Sequence, residues 1–111
     1  MKYALLIHAD ESDWGTHSEE EQRSMHAEYM TLSEDSRMVG GAQLQPVATA
    51  TTVRVQDGRT LTTDGPFADT KEALGGFYLF EADNLDDAIA IAARIPASRH
   101  GAVEVRPLVV H

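Results

Sequence analysis

The chain has 111 residues with 9 basic and 18 acidic side chains, a formal net charge of −9, and no cysteine. Surface scaling leaves about 6,000 Å² exposed of about 17,500 Å² in the unfolded chain, enough burial for one domain with one core. Disulfide scaffolds, thiol catalysis and thiolate zinc sites are excluded, and the acidic balance argues against direct nucleic-acid binding, which needs clustered Lys and Arg.

Tyr3 to Ala9 alternates Tyr3, Leu5 and Ile7 with Ala4, Leu6 and His8, apolar on both faces, as in a strand covered on two sides. The loop Asp10 to His17 follows. Ser18-Glu19-Glu20-Glu21 fits a capping box and opens a helix whose stripe is Met25, Tyr29 and Leu32, ending near Ser36. Met38 to Leu44 reads as a second strand. Thr52 to Gln56 and Arg59 to Thr63 flank Asp57-Gly58, a two-residue hairpin signal. Neither face of that hairpin is cleanly apolar, so it is expected as an arm at the sheet edge.

Asp64-Gly65-Pro66-Phe67 is a stiff turn, with Phe67 offered as a buried anchor. Gly76 to Ala82 carries the continuous apolar run of a buried strand. Asp83 or Asn84 caps a second helix with the stripe Leu85, Ala88, Ala92 and Ile95, stopped at Pro96. Ala102 to Val110 is the last strand. Without the arm the order is β-α-β-β-α-β, the ferredoxin-like α+β sandwich. Two helices cover one face of its sheet. The other face stays open yet apolar, and a homodimer joining these open faces is the expected remedy.

The run Asp64-Gly65-Pro66-Phe67-Ala68-Asp69-Thr70-Lys71-Glu72, closed by Gly75-Gly76-Phe77, resembles the signature of the DGPF-domain, or YCII-related, family. Asp10-Glu11 after the first strand, Thr49 to Val55 and Val103-Glu104-Val105-Arg106-Pro107 fit it as well, so the resemblance covers nearly the whole chain. It implies a single domain over residues 1–111 of the dimeric α+β barrel type. It also implies a group often encoded beside extracytoplasmic-function sigma factors, one candidate for a protein partner. Simpler relatives carry an active-site His in the first helix, where His26 falls, and an Asp-Pro at the end of the second. Here Ile95 precedes Pro96, so that dyad is broken.

Candidate catalytic residues are His26, as a general base, with Asp64 and Glu72 as carboxylates for proton transfer. Each has a plainer role: a helix histidine packed against the sheet, an Asx-turn, and a solvated surface charge. Lys71, Arg106 and His8 are candidate ligand-binding residues, Lys71 and Arg106 by pairing with an anionic group. Histidine spacings such as His-x-His are missing, so no metal is expected, and no phosphate loop or other cofactor motif occurs.

Two functions follow as expectations. One is a homodimeric module binding a small molecule or a protein partner. The other is a cofactor-free isomerase or lyase that moves protons on a small polar ring compound through His26 and a nearby carboxylate. The short apolar start, followed by Asp10-Glu11-Ser12-Asp13, lacks the form of a signal peptide, and no stretch is long enough to span a bilayer. A cytoplasmic location without membrane attachment is expected.

Overall fold

A computed structural model describes residues 1–111. Its strands are β1 (Lys2–Ala9), β2 (Met38–Gln43), β3 (Thr51–Gln56), β4 (Arg59–Asp64), β5 (Ala73–Glu81) and β6 (Ala102–Pro107). Its helices are α1 (Glu19–Ser33), α2 (Leu85–Ala92) and the short α3 (Ala97–His100). Strands β2-β5-β1-β6 form one antiparallel sheet, and β3-β4 form a separate two-stranded sheet. This is the ferredoxin-like α+β arrangement, with a hairpin inserted between β2 and β5.

Local chemistry explains the boundaries. At the start of α1, the Glu21 N–H donates to Ser18 Oγ at 3.1 Å and the Ser18 N–H donates to Glu21 Oε1 at 3.3 Å. Both orphan donors of the capping box are thereby satisfied. Asn84 caps α2 by accepting from the Asp87 N–H at 2.9 Å. The hairpin turns on Asp57 (φ 51°) and Gly58 (φ 75°), the two positive φ values of a type I′ turn. Val53 faces Thr62, Arg54 faces Leu61 and Val55 faces Thr60, the register expected from the sequence. At Gly41 (φ 147°) a Cβ would stand 2.6 Å from the Phe77 carbonyl oxygen, so only glycine lets β2 lie this close to β5.

Tyr3 and Leu5 of β1, Phe80 of β5, Leu32 of α1 and Ile91 and Ile95 around α2 form the core, all between 0% and 3% exposed. Fully burying a Leu, Ile or Phe contributes about 1.5–3 kcal/mol before entropy is counted. All of this burial lies on the helix-covered side of the sheet.

Three expectations need correction. Phe67 is 74% exposed, because the turn projects with the arm instead of folding onto the sheet; the Arg54 guanidinium covers its ring at 4.8 Å. Leu85 is 49% exposed; the face of α2 that packs on the sheet runs through Ala88, Ile91 and Ala92. Pro96 does not merely stop α2, which ends at Ala92, but stands at the N-terminus of α3. A proline needs no N–H there.

Candidate functional site

A cavity of about 680 Å³ lies between α1 and the sheet. Its origin is legible in residue size. The ends of β1 and β5 pair Ile7 with Gly76 and Ala9 with Ala73, and Gly41 and Ala42 continue the floor onto β2. Small side chains leave the space beneath the helix unfilled. On the roof α1 is anchored at its C-terminal end, where Leu32 joins the core, whereas Met25, though buried, stands outside that core and lines the cavity. His26, Tyr29 and Met30 complete the roof.

The loop expected over Asp10 to His17 is a 3-10 turn, Glu11–Thr16, and forms one wall. Asp10 caps it, accepting from the Ser12 N–H at 3.0 Å and the Ser12 hydroxyl at 2.7 Å. Those bonds, with the positive charge of Lys71 nearby, hold the Asp10 carboxyl below its ordinary pKa. The Val47 N–H donates to Glu11 Oε2 at 2.9 Å, tying the wall to the segment after β2. Gln22 Nε2 donates to the Trp14 carbonyl at 3.0 Å and ties it to α1.

His17 is held between two carboxylates, with Nδ1 3.2 Å from Glu21 Oε2 and Nε2 3.3 Å from Asp13 Oδ2. Hydrogen bonding to Glu21 first, then to Asp13, raises the His17 pKa. The reciprocal bond lowers that of Glu21. The His100 ring approaches from the end of α3, edge-on to His17, with centroids 4.7 Å apart. Tyr29 has its phenol pushed up by burial.

Of the residues singled out from the sequence, His26 lines this cavity, while Asp64 and Glu72 do not. Asp64 ends β4 on the arm, and Glu72 is exposed just before β5. Lys71 is exposed and does not line the cavity, though its charge reaches Asp10, which does. His8 and Arg106 lie across the sheet on its open face. His8 Nε2 is 3.5 Å from Glu104 Oε1, and Arg106 donates to Glu104 Oε2, which lowers the Glu104 pKa. The candidates therefore divide among three places.

Sequence reasoning missed Asp13, Trp14, His17 and His100 as neighbours around one space. Asp13 and His17 share a face through i,i+4 spacing, but His100 arrives from the other end of the chain. The readable signal was the small-residue composition of three strand ends.

The YCII-related domain matches residues 1–110. An uncharacterised protein of Rhizobium meliloti (strain 1021) is 38% identical over 117 residues, covering 100% of this chain and 94% of the relative. The chain belongs to the YCII-related family.

Proposed function

We propose that the protein is a homodimeric module that binds a small organic molecule in the cavity beneath α1. The observation that carries this reading is the cavity itself. Its 680 Å³ falls in the range of small-molecule sites. Apolar Met25, Met30 and Ile7 stand there beside His26, Tyr29 and Asp10, the mixture that gives affinity and orientation together.

The dimer reading rests on surface. The chain exposes 7832 Å² against about 6,000 Å² for a compact monomer of this mass. The excess of about 1,800 Å² exceeds the roughly 800 Å² per partner of a standard interface. On the open sheet face Ala4, Leu6, Phe77 and Leu79 form a continuous apolar strip beside Glu104 and Arg106. A second copy, face to face, covers it symmetrically. A basic protein partner would meet the acidic remainder of the surface; a sigma factor is the candidate that the resemblance implies.

Trp14, the single tryptophan, stands in the cavity wall and supplies the test. Anilinonaphthalene sulfonate seated in the cavity will accept energy from Trp14, and small ring compounds that displace the dye are ligands. Met30→Trp, which fills the mouth, should weaken dye binding at least tenfold. Dye binding unaffected by that variant would reject the cavity as the site.

A second reading, proton-transfer catalysis, is favoured by one observation, the position of His26 on the lining. Asp10 and Asp13 line the same space and would replace Asp64 and Glu72 as the carboxylate. Once a displacing compound is turned over, His26→Ala should abolish turnover without lowering the melting temperature. Retained turnover would remove His26 from the chemistry.

A further inference from the structure

We propose that Asp13, His17 and His100 bind a divalent first-row transition-metal ion in the cavity wall, with Glu21 as the residue that positions the His17 ring. This goes beyond the ligand-binding reading and does not rest on it. It also departs from the expectation drawn from histidine spacing, because the third ligand comes from a distant helix.

The donor atoms of the three residues all lie within 4.8 Å of one another. Metal bonds of about 2.0–2.2 Å place neighbouring donors about 3.3 Å apart. Asp13 Oδ2 and His17 Nε2 already stand at 3.3 Å. His100 is exposed at the last position of a four-residue helix, so rotation of its side chain brings a ring nitrogen into the third position.

Two imidazoles and one carboxylate suit Zn²⁺, Fe²⁺ or Ni²⁺ better than Mg²⁺ or Ca²⁺, which take oxygen ligands. The outer partner is in place too. His17 ligates through the Nε2 lone pair while its Nδ1–H donates to Glu21 Oε2, 3.2 Å away. A carboxylate on the far ring nitrogen fixes tautomer and orientation at metal sites. Glu21 is itself held, because its other oxygen accepts from the Ser18 N–H in the capping box. The device that starts α1 thus orients the ligand. The two carboxylates, Asp13 and Glu21, balance the charge of the ion. Three protein ligands leave a position open, and since all three line the cavity, a cavity-bound molecule can fill it.

The test uses the full chain, stripped with a chelator and dialysed, titrated with Zn²⁺ against a chromogenic chelator, and then with Co²⁺ for its visible spectrum. The expected result is one tight ion per chain with the intense Co²⁺ bands of four- or five-coordination. His100→Ala and Asp13→Asn should each weaken Zn²⁺ at least tenfold, and Glu21→Gln about tenfold or more. The control His111→Ala, at the C-terminus, should not change affinity. Circular dichroism of each metal-free variant should match the parent. Absence of a stoichiometric ion, or wild-type affinity in both His100→Ala and Asp13→Asn, would overturn the proposal. Dye displacement at Trp14 in metal-free protein is scored separately, so failure of the metal site leaves the ligand reading intact.

Discussion

The two sheets of this molecule are built by opposite rules. The four-stranded sheet packs Tyr3, Leu5 and Phe80 against α2 and the end of α1 until almost nothing of them is exposed. The two-stranded arm buries no residue at all: Val53 is 59% exposed, Val55 68% and Leu61 43%. A lone hairpin is marginal in water. This one is held by its type I′ turn and, at its base, by the Gly65 N–H donating to the Ala50 carbonyl at 2.8 Å and the Thr52 hydroxyl donating to the Gly65 carbonyl at 2.8 Å. The lesson is that hydrogen-bond pattern and turn chemistry suffice to draw a hairpin, but only burial makes a sheet resistant to opening. The arm also contributes to shape. The radius of gyration is 15.9 Å, against about 13 Å for a compact domain of this length.

The contrast can be broken most severely at the core. Phe80→Ala should cost about 3–5 kcal/mol, read as a fall in the denaturation midpoint. Val55→Ala on the arm should stay within about 0.5 kcal/mol. Comparable losses at both positions would mean that the arm is packed on something in solution. Next in size, if two copies join through the open face as proposed, Leu79→Asp places a charge in its apolar strip and should halve the mass measured by light scattering. A wild-type mass of one chain, or a mass unchanged by the variant, would reject a dimer through that face.

Amide exchange sharpens the comparison further. Protection in β3 and β4 should reflect local opening, and in β1 and β5 the global stability. Gly58→Ala, which forces a Cβ onto φ 75°, should speed exchange in the arm at a local cost of about 1 kcal/mol without moving the melting temperature. The smallest effect belongs to Asp35 at the entrance to β2. Its carboxyl is drawn from 3.8 to about 2 by hydrogen bonds from Arg37, whose guanidinium also caps the Phe80 ring at 4.9 Å. A lowered folded-state pKa stabilises above the unfolded value and is lost as the pH falls through about 2. The slight stability gap between wild type and Asp35→Asn should therefore close with acidification, measured by melts from pH 5 to 2.

Much of the fold was legible because its signals are local. The Ser18–Glu21 capping box, the Asp57-Gly58 turn and the apolar alternation of β1 each need only a few neighbouring residues, and each stands where the sequence puts it. Errors arose where burial depends on a distant partner. Phe67 is apolar, yet the arm carries it away from the core, and Leu85 lies in an apolar run but off the packed face of its helix. The site was less legible still. His26 could be picked as a residue type on a helix, but its companions around the cavity, Asp10, Trp14, His17 and His100, come from a turn and a short helix that meet only in space.

By itself, then, the sequence determined the order of its elements and the register of its hairpin, since periodicity, caps and turns act over one or two turns of backbone, and its Asp64-Gly65-Pro66-Phe67 motif pointed to its family. Tertiary structure alone decided which face of the sheet is buried, that α1 stands clear of a floor of glycine and alanine, and that Asp13, His17 and His100 meet. Those outcomes depend on how helices dock across many residues, and local preferences carry no record of that distance.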